Sequence, residues 1–261
     1  MQELPAFFDL IINLALSGTR MAVALYTVPF IHQGTLAPMV RNAVVLGFMI
    51  PVLPLVMSCH LPRQEALIYL LVLLAKEGLI GLLIGFLIGI VFWAAQCAGS
   101  VIDMQRGAFF AIMPDPLSKS DTTPMGSLLF QLAAILFFVS GGFREMIGAI
   151  LDSYRVWPVD RYFPHIDQNL VEFVARQLVR CLNLAVILAA PIVISTLTAD
   201  LALGMLNRFA PQVNIFMISL AVKSAIAALI MVFYISFLVK YLHGQFMDSE
   251  AVLQIIKRII Q

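Results

Sequence analysis

Long windows without Asp, Glu, Lys or Arg divide the chain: Met21–Val40, Asn42–Pro62, Gly78–Ile102, Thr122–Phe143 and Cys181–Ala199. Each runs about 19 to 25 residues, and roughly 20 helical residues cover the ~30 Å hydrocarbon core of a bilayer. Two shorter windows, Phe209–Val222 and Ser224–Val239, are separated by Lys223. The pattern predicts an all-α chain with about six long helices. Pro29, Pro38, Pro51, Pro54 and Pro191 lie inside or beside these runs and are expected to kink or break them. Backbone groups freed by such breaks must be buried in protein or face a wet cavity, because lipid offers no partner. So many interruptions in a short chain point to a protein surrounded by other subunits.

Three stretches depart from the apolar pattern. Residues 103–121 are polar and punctuated by Pro114 and Pro116, yet contain Phe109, Phe110, Ala111, Ile112 and Met113. Residues 144–180 form a charge-rich centre in which acids and bases cancel, with Glu172, Arg176 and Arg180 on one polar stripe of a helix. In the tail, 248–261, Val252, Ile255, Ile256, Ile259 and Ile260 fall on one face. Lys257 and Arg258 lie on the other side, the pattern of an amphipathic helix.

Composition sharpens the class. Over 261 residues, 61% are hydrophobic and 12% charged, with a net charge of +1. Ordinary soluble domains have about 45–50% and about 25% respectively. Mean hydropathy is +0.97. A soluble enzyme, a disordered segment and a nucleic-acid binder are excluded as leading readings, and the chain reads as an integral membrane protein. Cys59, Cys97 and Cys181 are scattered in or beside apolar runs and suggest neither a disulfide framework nor a metal site. The first residues carry Glu3 and Asp9 without a basic stretch, so no cleaved signal is expected. Lys240, Lys257 and Arg258 favour a cytoplasmic C-terminus and an N-terminus outside.

Gly81, Gly85 and Gly89 make a small-residue row suited to close helix packing. Arg20, Asp200, Arg208 and Lys223 lie in or beside apolar runs, where a charge costs about 2.5–3.5 kcal/mol and calls for a partner. Asp200, Asn207, Arg208, Gln212, Asn214 and Lys223 concentrate polar groups in a largely apolar region. Two readings stand open there: a subunit contact or water-lined path, and internal salt bridges near a membrane surface. The stretch 103–121 leaves two readings open: a surface connector, which would normally be polar throughout, and a plug or re-entrant segment, which its apolar patch beside Gly107 would suit. Catalysis has no support: the four histidines are scattered, and HExxH, GxSxG, SxxK and P-loop motifs are absent.

Read in order, these landmarks resemble one family. Gly99-Ser-Val-Ile-Asp103-Met-Gln105-Arg106-Gly107, then Asp115-Pro116, is similar to the signature around the central loop of the export-gate T component of type III secretion systems, the SctT/FliR family. Gly141-Gly142-Phe143 through Ser153-Tyr154-Arg155-Val156-Trp157-Pro158 is similar to its next landmark. The longest match is Ala199-Asp200-Leu-Ala-Leu-Gly204-Met-Leu-Asn207-Arg208-Phe-Ala-Pro211-Gln212-Val-Asn214-Ile-Phe, ending at Lys223-Ser224. The Ser153-Tyr154 and Trp157-Pro158 pairs, and a tail without a fused switch domain, resemble the injectisome branch more than the flagellar one.

The resemblance implies a non-enzymatic subunit of a bacterial inner-membrane export gate, one multi-pass domain over 1–261, with no cofactor and no metal. It implies an R-like part followed by an S-like hairpin, assembled with R-type and S-type subunits into a helical cone. Other implied partners are a U-type switch protein, a V-type gate protein, an inner rod or needle adaptor, membrane lipid and unfolded secreted proteins as cargo. Under it, Phe109, Phe110 and Met113 seal the resting pore, since a dry apolar constriction blocks ions. Asp103, Gln105, Arg106, Gly107, Asp115 and Pro116 position the loop. Asp200, Gly204, Asn207, Arg208, Pro211, Gln212, Asn214 and Lys223 make inter-subunit or pore-facing contacts. The rival classes are a secondary transporter with discontinuous helices, which would show an inverted repeat, and a membrane-embedded hydrolase, which lacks a nucleophile motif.

Overall fold

The computed structural model describes residues 3–31, 37–52, 54, 67–107, 123–159, 169–209 and 214–260, with side chains at 14–16, 18–31, 37–52, 54, 70–107, 123–159, 171–209 and 214–246. Among the described residues all regular structure is helical. The helices are α1 (Glu3–Thr27), α2 (Pro38–Met49), α3 (Leu67–Gln105), α4 (Pro124–Val139), α5 (Gly142–Val156), α6 (Asn169–Phe209) and α7 (Ile215–Ile260). Short 3₁₀ turns at Pro29–Ile31 and Ile50–Val52 follow α1 and α2.

The prolines explain the segmentation. Pro29 opens the turn after α1, Pro38 is the first residue of α2, and Pro51 lies in the turn that ends it. A proline lacks the N–H that a continuing helix needs, so it sits comfortably at a first turn. As a result, the windows Met21–Val40 and Asn42–Pro62 are not single spans. Among the described residues, three helical segments are long and apolar enough to cross a membrane, within α3, α6 and α7, and α4 with α5 count as a fourth if taken as one broken span.

Pro191 behaves differently: α6 runs straight through it. Its missing N–H leaves the Ile187 carbonyl, four residues back, without the usual helical donor. The Tyr234 hydroxyl of α7 donates to that carbonyl at 3.3 Å. Side-chain donors of this kind let a helix keep a proline inside it.

The chain forms two compact units. One comprises residues 1–89, 141–175 and 247–261. Its core includes Leu16, Met21, Leu25, Leu73, Ile80, Ile84, Met146 and Ile150, and Phe143 meets Phe30 and Phe48 edge-on at 6.2 and 5.6 Å. Here α1 and α3 touch backbone to side. A Cβ on Gly81 would run into the Arg20 carbonyl oxygen, and one on Gly85 would lie 2.6 Å from that of Ala24. Only glycine allows so close an approach.

The other unit comprises residues 90–140 and 176–246. Phe92 is its hub, with ring centroids of Phe130, Phe137 and Phe246 at 6.1, 5.3 and 5.4 Å. Gly99 lies directly against the Met125–Gly126 backbone. In α4, Thr123 is the N-cap: its Oγ1 accepts the Gly126 N–H at 3.2 Å, with Pro124 beside it at the helix start. The α3 span is mostly buried within the chain, whereas those of α6 and α7 are mostly exposed.

Candidate functional site

The first polar constellation is a buried charge cluster between α1, α3 and the end of α5. Arg20 grips Glu77 at two points, Nε to Oε2 at 2.7 Å and Nη2 to Oε1 at 3.0 Å. The same guanidinium donates to Ser153 Oγ at 3.0 Å and to the Trp157 carbonyl at 2.9 Å, and lies 4.2 Å from the Tyr154 ring centre. Lys76 Nζ meets Glu77 Oε1 at 3.0 Å and donates to the Val159 and Pro158 carbonyls at 2.9 and 3.2 Å. Arg20 and Glu77 are fully buried, Lys76 at 1% exposure. Desolvating three charges costs several kcal/mol per ion. The geometry offsets this by giving both cations a shared carboxylate plus backbone carbonyls, with the planar fork of Arg20 matched to Glu77.

This cluster gives a physical meaning to the Ser153–Pro158 stretch. Ser153, Tyr154 and the carbonyls of Trp157 and Pro158 are the wall that receives Arg20 and Lys76. Sequence reasoning singled out Arg20 and this stretch separately. It missed Lys76 and Glu77, which sit just before the charge-free window of α3 and read as ordinary flanking charges.

The second constellation lies where α3 ends and α4 begins. Asp103 is buried, and its Oδ2 accepts the Met125 N–H at 2.7 Å. A carboxylate at a helix N-terminus satisfies an orphan N–H and complements the helix dipole. Arg106 forms an ion pair with the same carboxylate, and Thr123 donates to Ser100 Oγ at 3.3 Å. Gln105 is the last residue of α3, and Gly107 follows with φ 77° against the Leu220 side chain. Thus Asp103 and Arg106 lie on one side of residues 108–122, and the α4 start that Asp103 holds lies on the other.

The third lies on α6 and α7. Lys223 Nζ contacts both Asp200 oxygens, at 3.0 and 3.3 Å. This pairing is internal to the chain. Gly204, Asn207, Arg208 and Asn214 are exposed. They are interleaved with exposed Leu201, Met205, Leu206, Phe209, Phe216 and Met217, among which Met205 is 70% and Phe209 83% accessible.

Phe109, Phe110, Met113, Asp115, Pro116, Pro211 and Gln212 lie outside the described residues. Gly89 is buried in α3. Cys97 and Cys181 are free thiols, Cys59 lies outside the described residues, and no group of metal-binding side chains occurs among the described residues. With long apolar helices and buried polar clusters, the arrangement suits structural support and contact with neighbours.

A family model described as "Bacterial export proteins, family 1" matches residues 11–249. The chain is 38% identical over 196 residues to "Yop proteins translocation protein T" of Yersinia pestis, covering 75% of each chain. It is 34% identical over 230 residues to "Surface presentation of antigens protein SpaR" of Salmonella typhimurium, covering 87% of this chain and 84% of that one. To "Flagellar biosynthetic protein FliR" of Bacillus subtilis the identity is 29% over 172 residues, 66% of each chain. The matched span includes all three constellations, and the apolar helices are those of a multi-pass membrane protein. The chain belongs to bacterial export protein family 1, the SctT/FliR family of type III export apparatus proteins.

Proposed function

We propose that this chain is a non-enzymatic core subunit of a type III secretion export gate, contributing to an inner-membrane channel for unfolded secreted proteins. Its relatives' names speak of translocation and of antigen presentation at the surface. The observation that carries the reading is the apolar surface left bare beyond bilayer length. The charge-free part of α6, Cys181–Ala199, rises about 28 Å, which already fills a ~30 Å hydrocarbon core. Exposed Leu201, Met205, Leu206 and Phe209 come after it. Tilting α6 far enough to sink them would drag Asn207 and Arg208 into hydrocarbon too, at a cost of about 2.5–3.5 kcal/mol for the arginine alone. Neighbouring protein covers such a mixed surface best, because it offers both apolar area and hydrogen-bond partners.

In this reading the R-type and S-type subunits are the neighbours, and the U-type switch, V-type gate and inner rod or needle adaptor complete the surroundings. Asn207, Arg208 and Asn214 make inter-subunit or pore-facing contacts, with Gly204, Pro211 and Gln212 in the same motif. Phe109, Phe110 and Met113 seal the resting pore, while Asp103 and Arg106 hold the loop that carries them. The test is purification of the native complex from membranes, with its components identified by mass spectrometry. R- and S-type subunits are expected in fixed ratio to this chain. A monodisperse lone chain that moves a small solute across reconstituted vesicles would replace this reading with the transporter.

A further inference from the structure

The second and third constellations meet at one contact, inside the compact unit of residues 90–140 and 176–246. Leu220 stands three residues before Lys223 on α7, and residues at that spacing are neighbours on a helix surface. Its side chain lies against Gly107, where a Cβ would run into Leu220 Cδ2. Gly107 is at φ 77°, the left-handed conformation that closes a helix and that a residue with a side chain rarely adopts. Its N–H donates to the Met104 carbonyl at 3.1 Å, and the Arg106 N–H donates to that of Ile102 at 3.0 Å. The end of α3 is therefore touched from two sides. Asp103 ties it to the Met125 N–H of α4, and Leu220 presses on it from α7.

Both supports are of the kind that opens locally. The first turns of α7 are thinly covered: Asn214, Phe216, Met217 and Ile218 are all exposed. Lys223 anchors them to α6, its Nζ reaching both Asp200 oxygens from a side chain only 12% accessible. On the α3 side, Arg106 Nε is buried and donates to nothing among the described residues. An unmet donor makes a helix end easier to open than a fully bonded one. The ion pair thus holds α7 in place, and α7 in place holds Leu220 on Gly107.

We propose that the Asp200–Lys223 pair regulates the end of α3 through Leu220: when the pair opens, Leu220 withdraws from Gly107 and the last turn of α3 loosens. A neighbour that offered Lys223 another carboxylate would then act on Asp103–Gly107 without touching them. The coupling uses only contacts within one compact unit, so it stands or falls apart from the export-gate reading. Hydrogen exchange of the full-length chain in detergent, resolved to single amides, tests it. Asp200→Asn should speed exchange at Arg106, Gly107 and Met125 about fivefold or more, the lower end of ordinary coupling between sites. Lys223→Gln should do the same from the other side of the pair, and Lys223→Arg, which keeps the charge, should leave these amides slow. Leu220→Ala should speed them by itself, and adding Asp200→Asn to it should change little, because the link is already cut. Unchanged exchange at the three amides in both Asp200→Asn and Lys223→Gln would overturn the proposal. So would full additivity of Asp200→Asn with Leu220→Ala. Equal acceleration at Leu129 and Ala133, in the middle of α4, would also overturn it, since the pair would then support the whole unit and not the end of α3.

Discussion

Tyr234 donates its hydroxyl to the Ile187 carbonyl at 3.3 Å, the same carbonyl that Pro191 leaves without its helical donor. One side chain on α7 thus repairs a defect in α6. Tyr234→Phe should destabilise the protein by about 1–3 kcal/mol, because the carbonyl loses its partner. Pro191→Ala restores the N–H, so the double variant should recover most of the loss. A double-mutant cycle on thermal unfolding in detergent checks this, and simple additivity would contradict it.

The Arg20–Glu77 pair makes a larger demand. Removing the carboxylate leaves Arg20 and Lys76 buried without their shared counter-charge. Glu77→Ala should cost about 3–5 kcal/mol, seen as a lower melting temperature or as poor accumulation in membranes. A variant that replaces all three charges with methionine should lose less, since it strands no ion.

Asp103 joins the end of α3 to the first turn of α4. Asp103→Ala should weaken this join by about 1–3 kcal/mol. The Met125 amide should then exchange its hydrogen faster, while amides in the middle of α4 keep their protection. Uniform protection in both proteins would show that the carboxylate is dispensable.

Lys223→Glu sets two carboxylates within contact distance, since Lys223 and Asp200 meet at 3.0 Å. On the proposed export-gate reading, recovery of R- and S-type subunits with the tagged chain should fall. The exchange Asp200→Lys with Lys223→Glu should bring it back if the pair only fixes α6 on α7. Failure of the exchange alone would assign one of the two residues to a neighbour.

On the proposed export-gate reading, replacement of Phe109, Phe110 and Met113 together by glycine should make resting cells leak small ions, because an apolar constriction resists wetting only while its side chains are present. Conductance of intact cells measures this, and an unchanged tight membrane would remove these residues from the seal.

Hydropathy located the spans within α3, α6 and α7 because a bilayer-length run without charge has few other uses in a chain. At Pro29, Pro38 and Pro51 apolar character continues across a helix break, so a charge-free window there does not mark one continuous helix. Pro191 lay in an equally apolar run, and only the position of Tyr234 distinguishes it. Arg20 was recognisable as a charge in need of a partner. Its partner was hidden because Glu77 lies 57 residues away. A window that scores each charge alone cannot register such a pairing. Resemblance singled out Asp103 and Arg106, but the Met125 amide as the target of Asp103 was not legible, since backbone donors leave no mark in composition.

The contact of Gly81 and Gly85 with the α1 backbone has a mechanical consequence. Two rods this close cannot glide lengthwise, because a slip of one position would force Ile80 or Leu82 into a gap that has no room for even one carbon. Arg20, clamped in the same turn, blocks rotation as well. This part of the molecule therefore behaves as a stiff strut, and any segment that has to yield while the protein works must lie somewhere else.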